Sequence, residues 1–262
     1  MSPVVSIVMP CFNGVKFMRE SINSVIAQTF GDWELLIVDD CSTDDSFNIA
    51  CAFAQKDVRI RVFKNETNCG SSFSRAKALD ESKGEYIAFL DCDDVWLPQK
   101  LERQLAFMQE NDCCFSFTEY EFIDAEGNFM GKIAKAKKTL TYHQFLFHNF
   151  VGCSSVMYLK KGVAEEIRPI GKTSLLDDYA LFLQVLKKLK RAKGIQECLY
   201  KYRIHSAAIS HNCAKKIKSF MRLFCKRLGF PVPVAFFFMC TNFLIGKTWK
   251  YKRLPVSSST LL

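Results

Sequence analysis

The stretch Phe89-Leu90-Asp91-Cys92-Asp93-Asp94 decides how this chain is read. Tyr86, Ile87, Ala88, Phe89 and Leu90 make an apolar run of the kind expected for a strand buried on both faces. Three carboxylates then fall within four positions at its end. Like charges that close raise one another's pKa values unless a cation sits among them. A hard divalent cation with oxygen ligands is the natural partner. The carboxyl end of a strand in an α/β sheet is also where ligands usually bind. The stretch points to a metal that grips a phosphorylated ligand, and its plainer reading is an acidic loop capping the next helix.

Outward from this strand the chain alternates. Val4 to Met9 is a short apolar, β-branched run broken by Pro10-Cys11-Phe12-Asn13-Gly14. Met18, Ile22, Val25 and Ile26, spaced i, i+4, i+7 and i+8, predict a helix. Trp33 to Val38 reads as a second strand and ends in Asp39-Asp40-Cys41-Ser42-Thr43-Asp44, where Ser42 or Thr43 can cap a helix through Phe47 to Ala54. Arg59 to Phe63 reads as a strand, Asn65 to Gly70 as a polar loop and Ser71 to Ser82 as a helix. Beyond the acidic stretch, Pro98 suits the first turn of a helix whose apolar face is Leu97, Leu101, Leu105 and Met108. Strand and helix alternating in this way indicate an α/β protein with a mostly parallel sheet.

From Cys113 the pattern changes. Cys114 to Tyr120 and Glu121 to Ile133, with a turn near Gly127-Asn128, read as a hairpin, and Thr141 to Lys193 reads as mostly helical with a strand-like interruption at Ser154 to Leu159. Asp177-Asp178 open a helix whose apolar face includes Leu181, Phe182, Val185 and Leu186. The helix dipole keeps a carboxylate there ionised, and an ionised, positioned carboxylate can serve as a general base. A simple helix cap is the plainer reading. His143, His148 and His211 show no ligand spacing.

The chain has 262 residues, 49% hydrophobic and 24% charged, which suffices for an ordinary globular core. Its net charge of +9 is concentrated from Lys187 onward, which points to an anionic partner for that part. Twelve cysteines show no paired Cys-x-x-Cys spacing for zinc, and Met1 to Pro10 has no leader pattern. A cytosolic chain with reduced thiols is the expectation. Lys215 to Arg227 interleaves basic residues with Ile217, Phe220, Met221, Leu223 and Phe224, a basic amphipathic helix that suits an anionic membrane surface better than nucleic acid. Phe230 to Gly246 is strongly apolar, but Pro231 and Pro233 shorten its helical part, so a peripheral or re-entrant anchor is expected rather than a spanning helix.

Taken in order, these segments resemble family 2 glycosyltransferases. Val5-Ser6-Ile7-Val8-Met9-Pro10-Cys11-Phe12-Asn13 is similar to the family's opening strand, and Ser21 to Phe30 with Trp33 to Asp40 to its next helix and strand. Asn68-Cys69-Gly70 with Arg75 resembles its Asn-x-Gly…Ala-Arg-Asn segment, and Phe89 to Leu101 its metal-binding Asp-x-Asp region, with Trp96 and Pro98 trailing. Leu176-Asp177-Asp178-Tyr179 resembles its Glu-Asp catalytic motif, and Tyr202-Arg203-Ile204-His205 a recurrent segment near the end of the catalytic domain. The resemblance covers residues 4 to 212.

The resemblance implies a GT-A fold, Rossmann-like with flanking helices, and inverting transfer from a nucleotide sugar, UDP-linked by expectation. Pro10, Phe12 and Asn13 would border the nucleotide. Asp39 would hold the uracil ring, with Asp40 and Ser42 beside it, and Arg75 would lie near the base or diphosphate. Asp91 would face the ribose and sugar, with Cys92 next to it, and Asp93 would ligate Mn²⁺ or Mg²⁺. Asp178 would be the general base. Asp94, Asp177, Arg203 and His205 are further candidates. Three positions depart from the family pattern: Asp177 stands where Glu is usual, Ala76 where Asn is common, and Phe12 where Tyr is more frequent. The expected organisation is a catalytic domain over residues 1–212, with a nucleotide half at 1–110 and an acceptor half at 111–212, then a helical membrane-associating tail at 213–262. The acceptor implied is a saccharide on a polyprenyl diphosphate, worked on at the cytoplasmic face of a membrane during surface-polysaccharide assembly. A catalytically inactive nucleotide-sugar-binding protein and a nucleotidyltransferase are the alternatives.

Overall fold

The first strand, β1 (Val5–Cys11), is buried along its whole length, as is β2 (Trp33–Asp39). In the computed structural model, which describes residues 2–161, 163, 176–205, 213–248 and 251–253, these strands pair in parallel, with Val5 opposite Trp33 and Cys11 opposite Asp39. Helix α1 (Met18–Ile26) connects them. Helix α2 (Ser46–Ala54) leads to β3 (Ile60–Lys64), parallel to β2, and helix α3 (Ser71–Glu81) leads to β4 (Tyr86–Phe89), parallel to β1 on its other side. The run β4-β1-β2-β3 is therefore a parallel unit of the doubly wound kind, and the chain reverses direction across the sheet at β1. The carboxyl ends of β1, β2 and β4 converge there.

A short strand, β5 (Val95–Trp96), and helix α4 (Lys100–Glu110) follow, then β6 (Phe115–Ile123) and β7 (Phe129–Ala134), an antiparallel hairpin whose turn uses Gly127 at φ 91°. Strand β8 (Thr139–Thr141) and helix α5 (Tyr142–Phe147), closed by a Thr141–Gln144 capping box, lead to a 3₁₀ turn at Cys153–Ser155. Strand β9 (Met157–Leu159) inserts antiparallel between β4 and β6, which joins the two halves into one sheet. Helix α6 (Asp177–Leu189) is followed by β10 (Arg191–Arg203), thirteen residues long, which pairs with β5, β6 and β8.

Three expectations are corrected here. Neither Ser42 nor Thr43 caps α2: the Ser46 backbone N–H, at its first turn, is taken by Asp44, and the Ser42 hydroxyl accepts from the Asn13 N–H instead. Pro98 precedes α4 rather than opening it, and its carbonyl accepts from Thr29. In the span Thr141 to Lys193, read as mostly helical, the interruption expected at Ser154 to Leu159 falls on the Cys153–Ser155 3₁₀ turn and β9, residues 162 and 164–175 lie outside the described residues, and Arg191 opens a strand rather than continuing a helix. The tail is helical, as expected, and divides into α7 (Cys213–Met221), a π-helical turn at Arg222–Arg227 and α8 (Val232–Thr248), and a last short strand, β11 (Tyr251–Arg253), pairs with β7. Phe220, Leu223, Phe224, Ala235 and Met239 are buried in the same core as Tyr179 and Phe182 of α6. No helix among the described residues is long and apolar enough to cross a membrane. His211 lies outside the described residues.

Candidate active site

The loops after β1 and β2 are tied to each other. Asn13, at φ 51°, accepts from the Thr43 N–H at 2.9 Å, and its own N–H reaches Ser42 Oγ at 3.0 Å. The Gly14 and Val15 N–H groups reach Ser46 and Asp44. This lacing leaves Phe12 projecting, 44% exposed, while Pro10 stays buried within β1. A Cβ on Gly14 would come within 3.0 Å of both Cys11 Sγ and Cys92 Sγ, so glycine is what lets the first loop lie over these two thiols. The hydrogen bond with Cys11, and then burial, push the Cys92 thiol up.

Asp39 and Asp40, adjacent at the end of β2, have different employment. Asp40 is buried and accepts from Asn65 Nδ2 at 2.8 Å, the Cys69 N–H at 2.9 Å and the Gly70 N–H at 2.6 Å, so it shapes the loop that starts α3. Asn65, which the sequence reading passed over as loop, is the other half of that arrangement. Asp39 accepts from the Ser42 N–H through Oδ2 at 3.1 Å, and its Oδ1 is buried without a protein partner. A buried acceptor left open in this way calls for a donor from elsewhere.

The three carboxylates after β4 separate into different roles. Asp91 Oδ1 accepts from Arg75 Nη2 at 2.7 Å, its N–H donates to Ser154 Oγ, and its side chain is 29% exposed. Asp93 Oδ2 lies 2.9 Å from His205 Nε2. Burial and then the neighbouring Asp91 charge push the Asp93 carboxyl up, and the His205 hydrogen bond works against them. Asp94 turns inward. It accepts from the Arg203 N–H at 3.0 Å and from Ser154 Oγ, and burial drives its pKa well above the usual carboxylate range. Arg203 is buried too, with Nε on the Asp93 carbonyl at 2.9 Å, Nη1 on the Asp124 and Ala125 carbonyls and Nη2 on Glu20. Asp94 and Arg203 thus hold the end of β10 against the acidic loop, which positions His205. The Cys153–Ser155 turn overlaps the interruption read from the sequence at Ser154 to Leu159, but no site role was read for Ser154. Its Ser154 joins Asp91, Asp94 and the Trp96 indole, and no spacing rule marks such a residue.

On the far side, Asp177 and Asp178 start α6. Asp177 is buried, Ser71 Oγ lies 3.4 Å from its Oδ2, and desolvation raises its pKa to about 7 although Arg75 opposes this. Asp178 is half-buried and its Oδ1 accepts from the Tyr179 N–H at 2.7 Å. Ser72, Arg75, Asp177 and Leu181 line a small cleft, and Arg75 Nε and Asp177 Oδ1 are buried without a hydrogen-bond partner. Burial works against the Arg75 charge, but Cys153, Asp91 and Asp178 outweigh it and hold the guanidinium firmly protonated. Arg75 is thus the electrostatic link between the Asp-x-Asp loop and α6.

No cluster of three or more His, Cys, Asp and Glu side chains with metal-holding geometry occurs among the described residues. The Asp93–His205 pair nevertheless fits a smaller donor set. A carboxylate oxygen and an imidazole nitrogen 2.9 Å apart supply two protein ligands. Mg²⁺ and Mn²⁺ sites that act on nucleotides are commonly completed by substrate phosphate oxygens and water.

Comparison with known proteins identifies the family. The family model "Glycosyl transferase family 2" matches residues 6–168. The chain is 39% identical over 216 residues to the putative teichuronic acid biosynthesis glycosyltransferase TuaG of Bacillus subtilis, covering 82% of this chain and 85% of that one. It is 34% identical to WfgD of Escherichia coli, a UDP-Glc:alpha-D-GlcNAc-diphosphoundecaprenol beta-1,3-glucosyltransferase, over 82% of this chain and 83% of that one. Among solved structures, S. aureus TarS 1-349 in complex with UDP-GlcNAc superposes with a TM-score of 0.74 at 17% identity, covering 95% of this chain and 74% of that one. The Pyrobaculum calidifontis mannosyltransferase PcManGT, solved with GDP-Man and Mn2+, gives 0.67 at 13% identity over 93% of this chain and 70% of that one. Fold, motif order and relatives together place this chain in glycosyl transferase family 2, with the GT-A fold.

Proposed function

We propose that the protein transfers a hexose or N-acetylhexosamine from a UDP-sugar to a hydroxyl of a lipid-linked saccharide, with inversion and with a divalent cation. The observation that carries the reading is a single edge. The open Asp39 acceptor, the Arg75–Asp91 pair and the Asp93–His205 pair lie at the ends of parallel strands or beside them, and the Asp178 charge acts on the same Arg75. A nucleoside diphosphate sugar needs these functions together: a base acceptor, a charge clamp and a proton acceptor at the sugar. The relatives named above include one whose name specifies UDP-Glc and a diphosphoundecaprenol-linked acceptor, and a solved neighbour holds UDP-GlcNAc.

Asp39 Oδ1 receives an N–H of the uracil ring, Phe12 and Asn13 border the nucleotide, and Asp91, oriented by Arg75, faces the ribose and sugar. Asp93 and His205 would hold the cation, which would neutralise the diphosphate in the bound donor and as it leaves. The acceptor hydroxyl has too high a pKa to attack well unless its proton is removed as the new bond forms. Asp178 takes that proton while the acceptor oxygen bonds to the anomeric carbon and the bond to the diphosphate oxygen breaks. Attack from the face opposite the leaving group inverts the centre, the logic of single-displacement glycoside chemistry. The basic, apolar C-terminal helices keep the enzyme at the cytoplasmic face of a membrane, where such an acceptor resides.

The deciding experiment is a donor screen by mass shift, with UDP- and GDP-sugars, Mn²⁺ and a synthetic lipid-diphosphate saccharide. A product gained from one UDP-sugar, lost on chelation and β-linked from an α-linked donor, is the expected result. Transfer with retention, or turnover unaffected by exhaustive chelation, would overturn the inverting or metal-dependent part respectively.

A further inference from the structure

Helix α8 is apolar all round, yet only one of its sides is covered. Ala235 and Met239 are buried in the core, Phe238 and Ile245 pack against it, and the Asn242 carbonyl lies 3.0 Å from His148 Nδ1. The other side carries Phe236 and Phe237, each 55% exposed, Phe243 at 38% and Leu244 at 65%, with Val232 at 63% at the start of the helix. Positions 236, 237, 243 and 244 recur at helical spacing, so these side chains form one stripe. Large aromatic and aliphatic side chains gathered into a stripe mark a contact surface, whereas single ones scattered over a surface do not.

The charge around the stripe says what it contacts. After Glu197 the sequence has twelve Lys and Arg and no Asp or Glu. Lys218, Arg222, Lys226 and Arg227 are exposed on the helical passage packed beside α8, and none of them has an ion pair among the described residues. A second copy of this surface would bring like charges together. An anionic lipid surface would accept both the cations and the phenylalanines.

The stripe is also built into the framework that carries Asp178. Phe237 and Phe238 meet Phe147 of α5 at centroid distances of 6.3 and 5.1 Å. Tyr179, next to Asp178, donates its hydroxyl to the Phe145 carbonyl of α5 at 2.6 Å and packs 6.2 Å from Phe224, which lies 5.4 Å from Phe238. We infer that the outward stripe of α8, with the basic residues of 218–227, is a docking face for an anionic lipid bilayer, joined through α5 and Tyr179 to the helix that bears Asp178. The face sets the attitude of the acceptor side of the site to the membrane. This deepens the membrane-working reading above and does not depend on the donor assignment.

The test uses the full chain and vesicle flotation with phosphatidylcholine alone and with phosphatidylcholine carrying roughly 30% phosphatidylglycerol, whose negative surface potential attracts basic segments. Wild type is expected to float with the anionic vesicles and to be released by salt. Phe236→Glu/Phe237→Glu and Lys226→Glu/Arg227→Glu should each lower partitioning by more than about tenfold. Donor hydrolysis in solution should stay at the wild-type rate in both. A wild type that ignores both vesicles, or variants that float as well as wild type, would overturn the docking face. So would a wild-type dimer that the phenylalanine variant converts to monomer while vesicle binding is absent. Wild type that floats but hydrolyses no nucleotide sugar would leave the face standing and sink the donor reading alone.

Discussion

The Asp94 carboxylate receives the Arg203 N–H at 3.0 Å across 109 residues of sequence, whereas its neighbour Asp93 turns the other way to meet His205. Adjacent carboxylates therefore do different work. Removing Asp94 leaves the buried Arg203 N–H and Ser154 hydroxyl without their acceptor, which costs about 2–4 kcal/mol. Asp94→Ala should lower Tm by several degrees. Asp93→Ala, at a half-exposed position, should leave Tm within about 2 °C of wild type and abolish Mn²⁺-dependent donor binding. Differential scanning fluorimetry with calorimetry on both variants makes the comparison, and equal Tm losses would refute the division of labour.

Asp178→Asn preserves the shape of the α6 start and removes the proton acceptor. Donor affinity should stay within about twofold of wild type while turnover falls about 10²–10⁴-fold, the usual worth of a general base. Calorimetry with the UDP-sugar and single-turnover product formation give the two numbers. Near-normal turnover would remove Asp178 from the mechanism.

The parallel half of the fold was legible because its strands are fully apolar and its helices keep a clean period, so Val5–Cys11, Trp33–Asp39 and Tyr86–Phe89 fell close to their observed bounds. Strand β10 was not legible. Its thirteen residues, Arg191 to Arg203, carry six Lys, Arg, Glu and Gln side chains and alternate irregularly because bulges shift its pairing with β6. The motif residues could be named, but the partition of Asp39 from Asp40, and of Asp93 from Asp94, follows from contacts with Asn65, Ser154 and Arg203 that are remote in sequence.

Asp177 makes a prediction about pH. Its folded pKa of about 7 lies above the ordinary 3.8 because burial outweighs the Arg75 attraction. The folded chain therefore holds more protons than the unfolded chain between those values, and this residue makes stability fall as pH rises through that window. Asp177→Asn keeps the neutral form at every pH. Its Tm should exceed that of wild type at pH 8 by about 3 °C or more and match it only below the ordinary carboxyl pKa of 3.8. A constant offset between the two Tm curves would show that Asp177 does not titrate as its burial demands. The longer Asp177→Glu, the residue usual in the family, would extend toward the cleft lined by Ser72, Arg75 and Leu181.

Lys100 acts in the opposite sense at higher pH. Its ammonium is fully buried, held by Gln104 Oε1 at 2.7 Å and lying 4.1 Å from the centre of the Trp96 ring, and burial lowers its pKa from 10.5 to about 7. Below pH 7 both states carry the proton and the folded state bears the whole cost of burying the charge. Between 7 and 10.5 the unfolded chain binds more protons, so the lysine makes stability rise with pH. Lys100→Met keeps the aliphatic length beside Trp96 and removes the charge, at the expense of the bond to Gln104. Because a shift of this size is worth a few kcal/mol, the variant should be more stable than wild type at pH 6.5, and the gap should close by pH 10. Tm measured at half-unit steps from pH 6 to 10 checks this. A gap that is flat across the range, or a variant less stable than wild type at pH 6.5, would mean that the hydrogen bond and ring contact outweigh desolvation at this site.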